Sequence, residues 1–166
     1  MKLALIGDPV EHSRSPQLHR LFLEEAEIDG SYVAIAVPAG RAGAAIRRLR
    51  DEGYLGCNVT YPLKEEALAA CDRLTTEARR SDAVNTIFFG REIEGTDTDG
   101  AGARTAIESL IEEPIALKRI GVLGYGATAR AILAELHDND AYAFVWGRDQ
   151  ERVRAVCERY EASPWP

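Results

Sequence analysis

Short apolar runs closed by glycine or proline alternate along this chain with stretches whose apolar residues recur at helical spacing. Leu3-Ala4-Leu5-Ile6 ends at Gly7-Asp8-Pro9, and a second run over residues 32–37 is ended by Pro38. Between them Pro16 opens a predicted helix with Leu18, Leu21, Phe22 and Ala26 on one face. A second helix is predicted over residues 39–50 through Ala42, Ala45, Ile46 and Leu49, and residues 54–58 read as the strand after it. Pro62 begins a shorter helix through Leu63, Ala67, Leu68 and Cys71, and residues 83–89 return to strand character. Alternation of this kind predicts an α/β protein whose first part is a mainly parallel sheet flanked by helices.

The pattern then restarts. Residues 101–111 form a predicted helix ended by Glu112-Glu113-Pro114. A strand over 119–123, the turn Gly124-Tyr125-Gly126, a helix over 127–136, a strand over 141–146 and a helix over 151–160 follow. These supply two strands of a dinucleotide-binding fold, which ordinarily needs several more to cover its faces. The expected division is a substrate-binding and catalytic domain over 1–100, then a connecting helix and an incomplete Rossmann-like cofactor domain over 101–166. A partial product and completion by another chain, with self-association through open sheet edges, both fit that expectation.

With 166 residues and 46% hydrophobic content the chain can bury a core, which argues against disorder. A net charge of -7 argues against a nucleic-acid surface. Cys57, Cys71 and Cys157 are scattered, without a CxxC pair or zinc spacing, and read as reduced thiols, not a disulfide frame or metal site. The first strand begins at once, without a signal-peptide pattern, and no apolar run reaches membrane-spanning length. The cytoplasm is the expected location, with no membrane partner.

Polar residues gather at the predicted strand ends. Ser13 and Ser15, in Asp8-Pro9-Val10-Glu11-His12-Ser13-Arg14-Ser15-Pro16, stand at a helix start where hydroxyls and backbone donors can hold a carboxylate; helix capping is the competing explanation. His12 reads as a turn residue, and His19 as one that packs beside its helix. Asn58 and Thr60, at a strand end, and Asn85 suit vicinal hydroxyls, since an amide both donates and accepts; local turn bonding competes. Lys64 follows Pro62, and its ammonium can stabilise an oxyanion during carbonyl reduction or, neutral, accept an alcohol proton; a solvent-facing lysine on the short helix is the competing explanation. Asp99, in Gly95-Thr96-Asp97-Thr98-Asp99-Gly100, can orient Lys64 and share the reacting proton, or cap the helix that follows it. Asp97 reads as a turn residue or a charge near that pair.

Gly121-Val122-Leu123-Gly124-Tyr125-Gly126-Ala127 follows a strand and opens a helix. Gly124 permits the tight turn, Gly126 permits close approach of a pyrophosphate, and exposed helix-start amides can hold it. At the end of the next strand Arg148 suits the 2'-phosphate of NADP, whereas Asp149 beside it would repel that group and leaves NAD open.

These segments together resemble the shikimate dehydrogenases and the related quinate/shikimate dehydrogenases. His12-Ser13-Arg14-Ser15-Pro16, Asn58-Val59-Thr60-Tyr61-Pro62-Leu63-Lys64, Ala83-Val84-Asn85-Thr86 and Thr98-Asp99-Gly100 occur in that family's order. The resemblance implies reversible NADP-dependent reduction of 3-dehydroshikimate to shikimate in aromatic amino-acid biosynthesis. It implies Ser13, Ser15 and Thr60 on the substrate carboxylate, Asn58, Asn85 and Asp99 on its hydroxyls, and Lys64 with Asp99 as the catalytic pair. It implies Gly124, Gly126, Ala127 and Arg148 on the cofactor, with Ala127 replacing a customary glycine. Asp97 stands where the family commonly has asparagine, and Gly147-Arg148-Asp149 keeps only the arginine of its adenine-ribose motif. The remaining cofactor sheet, a nicotinamide-facing loop and a C-terminal helix carrying a substrate-facing glutamine have no match here. A non-catalytic shikimate- or quinate-binding module, or a partner-dependent fragment, is therefore the alternative expectation.

Overall fold

The computed structural model describes residues 1–165. The chain divides into two compact units, Met1–Thr75 with Ala83–Thr96, and Thr76–Asp82 with Asp97 onward.

The first unit contains β1 (Lys2–Gly7), α1 (Ser15–Glu25), β2 (Ser31–Ala36), α2 (Ala42–Asp51), β3 (Gly56–Val59), a 3-10 turn (Glu66–Ala70), β4 (Arg73–Leu74), β5 (Thr86–Phe89) and β6 (Ile93–Thr96). Its six strands lie in the order β2-β1-β3-β5-β6-β4. β1 pairs in parallel with β2 and β3, while β5 pairs antiparallel with both β3 and β6. The sheet is therefore mixed, a refinement of the mainly parallel expectation. The cause is local: β5 and β6 are joined by Gly90-Arg91-Glu92, too short for a crossover, so they form a hairpin. Ala4, Leu5 and Ile6 are buried, as expected of a strand with neighbours on both sides.

Helix α2 buries Ala42, Ile46 and Leu49 of the predicted stripe, with Ala45 half-buried. It has no cap of its own; Glu66 supplies one from the 3-10 turn, accepting from Gly40 N at 2.8 Å and Ala42 N at 3.4 Å. That turn replaces the helix predicted from Pro62. The stripe predicted for α1 is at the surface: Leu18, Leu21 and Phe22 are exposed, and Leu23 alone is buried in that helix.

The second unit contains α3 (Thr76–Ser81), α4 (Asp99–Ile111), β7 (Arg119–Leu123), α5 (Ala127–Asp138), β8 (Tyr142–Trp146), α6 (Gln150–Arg159) and β9 (Ser163–Pro164). Three strands, where two were expected, form an all-parallel sheet in the order β7-β8-β9. That is the 3-2-1 half of a doubly wound sheet. Leu133 and Leu136 of α5, Val122, Val145, Val153 and Cys157 fill its core. Arg130 fastens α3 to α5 by donating to Ser81 O at 2.8 Å and Asp82 O at 3.3 Å, and the Tyr160 hydroxyl donates to Arg80 O at 2.5 Å.

Candidate functional site

In the first unit the expected substrate residues lie around the carboxyl ends of β1 and β3, where a parallel sheet leaves a crevice. Beyond β3 the chain bends back: Thr60 N donates to Ile6 O at 2.9 Å, Asp8 N to Tyr61 O at 3.0 Å, and Leu63 N to Thr60 O at 2.9 Å. Lys64, half-buried, is joined to the next segment by Val84 N donating to its carbonyl at 2.9 Å. The loop of Thr60 and Lys64 is thus stitched both to the end of β1 and to Ala83-Val84-Asn85. The Ser13 hydroxyl accepts from Ser15 N at 3.2 Å, a turn bond from the residue before the Arg14 N-cap position, which itself has no side-chain cap; the same hydroxyl has capacity left for a carboxylate. His12 and Tyr61 are exposed.

Asn58 and Thr86 are cross-strand partners of β3 and β5, so their side chains share one face of the sheet. The Tyr32 hydroxyl donates to Asn58 Oδ1 at 2.8 Å. Asn58 Nδ2 donates to Thr86 Oγ1 at 3.0 Å and to Asn85 O at 3.4 Å. The Thr86 hydroxyl donates to Asn85 Oδ1 at 2.9 Å. His19 stacks on the Tyr32 ring with centroids 4.0 Å apart, and burial lowers its pKa, which favours the neutral imidazole. Neither Tyr32 nor Thr86 stood out in the sequence, because the pairing that recruits them depends on strand register.

The second unit holds the other expected residues. Asp99 opens α4, and its Oδ2 accepts from the Thr128 hydroxyl at 2.8 Å. Asp97, 3% exposed, accepts from Asp99 N at 3.0 Å and from the Ser81 hydroxyl at 2.9 Å. The Asp97 carboxylate therefore serves the first amide of α4, and Asp99, the first residue of that helix, does not occupy the N-cap position that the capping alternative gave it.

Gly124 has φ +118°, a conformation that suits glycine, and its N–H donates to Trp146 O at 2.8 Å. A Cβ placed on Gly124 or Gly126 would meet no atom within 4 Å. The turn thus opens a space in front of α5, whose first-turn amides have no carbonyl one turn back, and Ala127 is the first residue of that helix. This geometry fits a pyrophosphate. At the end of β8 Arg148 is exposed, while Asp149 caps α6, accepting from Glu151 N at 3.0 Å and Arg152 N at 3.2 Å. Its charge is offset by those amides and by the Arg152 guanidinium at 3.5 Å. Arg152, which lies 5.8 Å from the Tyr125 ring centre and pairs with Asp149, is a second cation of this segment that sequence reasoning passed over. Its placement four residues after Arg148, on the first turn of α6, was the available signal.

Among the described residues no cluster of metal-ligating side chains occurs, and no helix is long and apolar enough to cross a membrane.

A mixed sheet edged with hydroxyls, amides and a lysine, followed by a parallel sheet with a glycine-rich turn, defines a two-part α/β protein whose second part is Rossmann-like. Residues 5–87 match the family described as the shikimate dehydrogenase substrate binding domain, and the chain belongs to the shikimate dehydrogenase family. It is 41% identical over 157 residues to the shikimate dehydrogenase (NADP(+)) of Acidiphilium cryptum, covering 94% of this chain and 56% of that protein. Against the Rhodospirillum rubrum enzyme of the same name it is 43% identical over 170 residues, covering 98% and 59%. The Thermus thermophilus shikimate 5-dehydrogenase, solved in complex with NADP(H) and shikimate, superposes with a TM-score of 0.92 at 32% identity, covering all of this chain and 63% of that one. The chain therefore spans somewhat over half the length of these relatives.

Proposed function

We propose that this chain forms the substrate lobe and the first part of the cofactor lobe of an NADP-dependent oxidoreductase that interconverts 3-dehydroshikimate and shikimate. The observation that carries the reading is the stitching of Thr60, Lys64 and Asn85 around one end of the first sheet, in a chain all of which superposes on part of a relative solved in complex with NADP(H) and shikimate. The first unit is the substrate domain and the second the beginning of the cofactor domain. Ser13, Ser15 and Thr60 hold the ring carboxylate, and Asn58, Asn85 and Asp99 hold ring hydroxyls. NADP, when bound, supplies or takes up the hydride. Gly124, Gly126 and Ala127 hold its pyrophosphate, and Arg148 with Arg152 holds the 2'-phosphate. Asp149, occupied as a helix cap, opposes that phosphate less than an unengaged carboxylate would.

In the reducing direction the Lys64 ammonium stabilises the negative charge growing on the ketone oxygen and gives it a proton. The amine, left neutral, regains its proton from solvent, and Asp99 is the second member of the pair, its carboxylate accepting a hydrogen bond from the substrate hydroxyl. The reading places the protein in the cytoplasm, which three unpaired thiols support.

The test is steady-state shikimate oxidation with NADP+ by the chain extended with the C-terminal remainder of the Rhodospirillum relative, and by its Lys64→Ala variant. The expected loss on substitution is about a hundredfold or more in kcat. Equal rates in the two proteins would remove Lys64 from the mechanism.

A further inference from the structure

Asn58 carries two N–H donors and one carbonyl oxygen with two acceptor positions. Its Nδ2 lies within bonding distance of Thr86 Oγ1 at 3.0 Å and of the backbone carbonyl of Asn85 at 3.4 Å. A backbone carbonyl can only accept, so the amide orientation is determined: the NH2 faces β5 and the oxygen faces Tyr32. Burial pushes the Tyr32 phenol well above its ordinary pKa, and it remains a donor to that oxygen. Thr86 Oγ1, having accepted from Asn58, has one hydrogen to give, and Asn85 Oδ1 receives it at 2.9 Å. Every bond in the series therefore runs in one direction, from Tyr32 through Asn58 and Thr86 to Asn85.

We infer that Tyr32, Asn58 and Thr86 are positioning residues whose directional hydrogen-bond chain fixes the side-chain amide of Asn85, so that Asn85 reads a ligand hydroxyl oxygen as a donor. Asn58 is the relay of this chain. Both of its N–H groups are spent within the unit, so it can offer a ligand acceptor capacity alone. Asn85 is 9% exposed, and its backbone is pinned independently, with N donating to Thr96 O at 3.0 Å and O accepting from Val59 N at 2.8 Å. The relay therefore acts on the side chain, on a backbone that is already held. Specificity for a hydroxyl arises because a buried amide turned the wrong way would present its oxygen to the ligand and leave a polar group mispaired.

The inference rests on the shikimate reading for the identity of the ligand, and its test separates the two. Side-chain amide NMR of the chain without ligand is recorded for the unsubstituted protein, Thr86→Val, Thr86→Ser and Tyr32→Phe, with shikimate calorimetry on each. The NMR arm decides the relay. Thr86→Val, which keeps the shape and removes the hydroxyl, is expected to move the Asn85 NH2 resonances and speed their exchange with water, whereas Thr86→Ser leaves them in place. Tyr32→Phe is expected to shift Asn58 and, through it, Asn85, and decides the matter should Thr86→Val fail to fold. Asn85 resonances unmoved in a folded Thr86→Val, or in Tyr32→Phe where that variant alone folds, would overturn the inference. In calorimetry Thr86→Val is expected to weaken shikimate binding about tenfold, the loss of one hydrogen bond, with Thr86→Ser restoring it. No saturable binding by the unsubstituted chain, measured with the C-terminal extension used for the oxidation assay, would defeat the shikimate reading and leave the relay to stand or fall on the NMR arm.

Discussion

Cys57 precedes the relay asparagine on β3 and is 4% exposed. Burial, reinforced by Cys71 nearby, pushes its thiol from 9.0 to about 12. The folded chain thus holds the proton more tightly than the unfolded chain, so this contribution to stability is full below about pH 9 and is lost as pH rises toward 12. Unfolding by urea at a series of pH values above 9 should show stability falling by at most about 1.4 kcal/mol per pH unit from this thiol, and Cys57→Ala should flatten the decline. An identical slope in the variant would mean that Cys57 does not titrate differently on folding. The sequence displayed the chemistry of single residues well. Amides, hydroxyls, Lys64 and Asp99 stood out as polar groups at strand ends, and all but Asp99 fall in one unit. What it withheld was how their bonding capacity is spent. That Asn58 meets Thr86, 28 residues on, follows from the register of β3 and β5. That Asp97 serves the α4 start follows from a turn geometry which two aspartates in sequence leave open.

In the second unit α4 meets α5 closely at Gly100. A Cβ there would lie 2.4 Å from Ala131 O and 3.1 Å from Glu135 Cβ, and the backbone oxygen cannot rotate away. Gly100→Ala should force the helices apart and cost about 1–3 kcal/mol in urea unfolding. Gly126→Ala adds the same methyl where nothing lies within 4 Å, and should change stability by less than about 0.5 kcal/mol while weakening NADP binding. Equal destabilisation by the two would show that the crossing is looser than the geometry says. The crossing is further held by Arg104 of α4, which donates to Glu135 of α5 at 2.6 Å and is itself steadied within α4 by Glu108 at 3.1 Å. Elements with several turns or a sustained apolar run were legible: α2, α4, α5, α6, β1, β2, β7 and β8 lie within a few residues of their predicted positions. The omitted ones, β4, α3, β6 and β9, span two to six residues, too few for a period to register. The helix predicted from Pro62 had the right apolar residues but closes as a 3-10 turn, with Glu66 turned to α2.

The chain does not complete one unit before starting the next. After β4 it leaves the first unit for residues 76–82, returns for β5 and β6, and joins the second unit for good at Asp97. Periodicity showed an α/β protein in two parts and could not show this excursion, since α3 is six residues long and belongs to the second unit by its contacts, not its place in the sequence. Those contacts are substantial: Ala78 and Ser81 are buried, the Ser81 hydroxyl donates to Asp97, Arg130 donates to the carbonyls of Ser81 and Asp82, and Arg159 pairs with Asp82. A fragment starting at Asp97 keeps the three-stranded sheet but strips buried Asp97 and Arg130 of these partners. At about 1 kcal/mol for each hydrogen bond, and more for those involving a charge, the loss exceeds roughly 3 kcal/mol, a large share of what a unit this small can hold. Trp146 and Trp165, the chain's two tryptophans, both lie in the second unit, so their fluorescence reports on it alone. Followed by that signal, the fragment should unfold at clearly lower urea than the full chain, or without a cooperative transition. Arg130→Met in the full chain should lower the midpoint by a smaller step, about 1–3 kcal/mol. If the fragment matched the full chain, the seven-residue excursion would be a passenger on α5 and Arg130 would be bonding to carbonyls that water satisfies equally well.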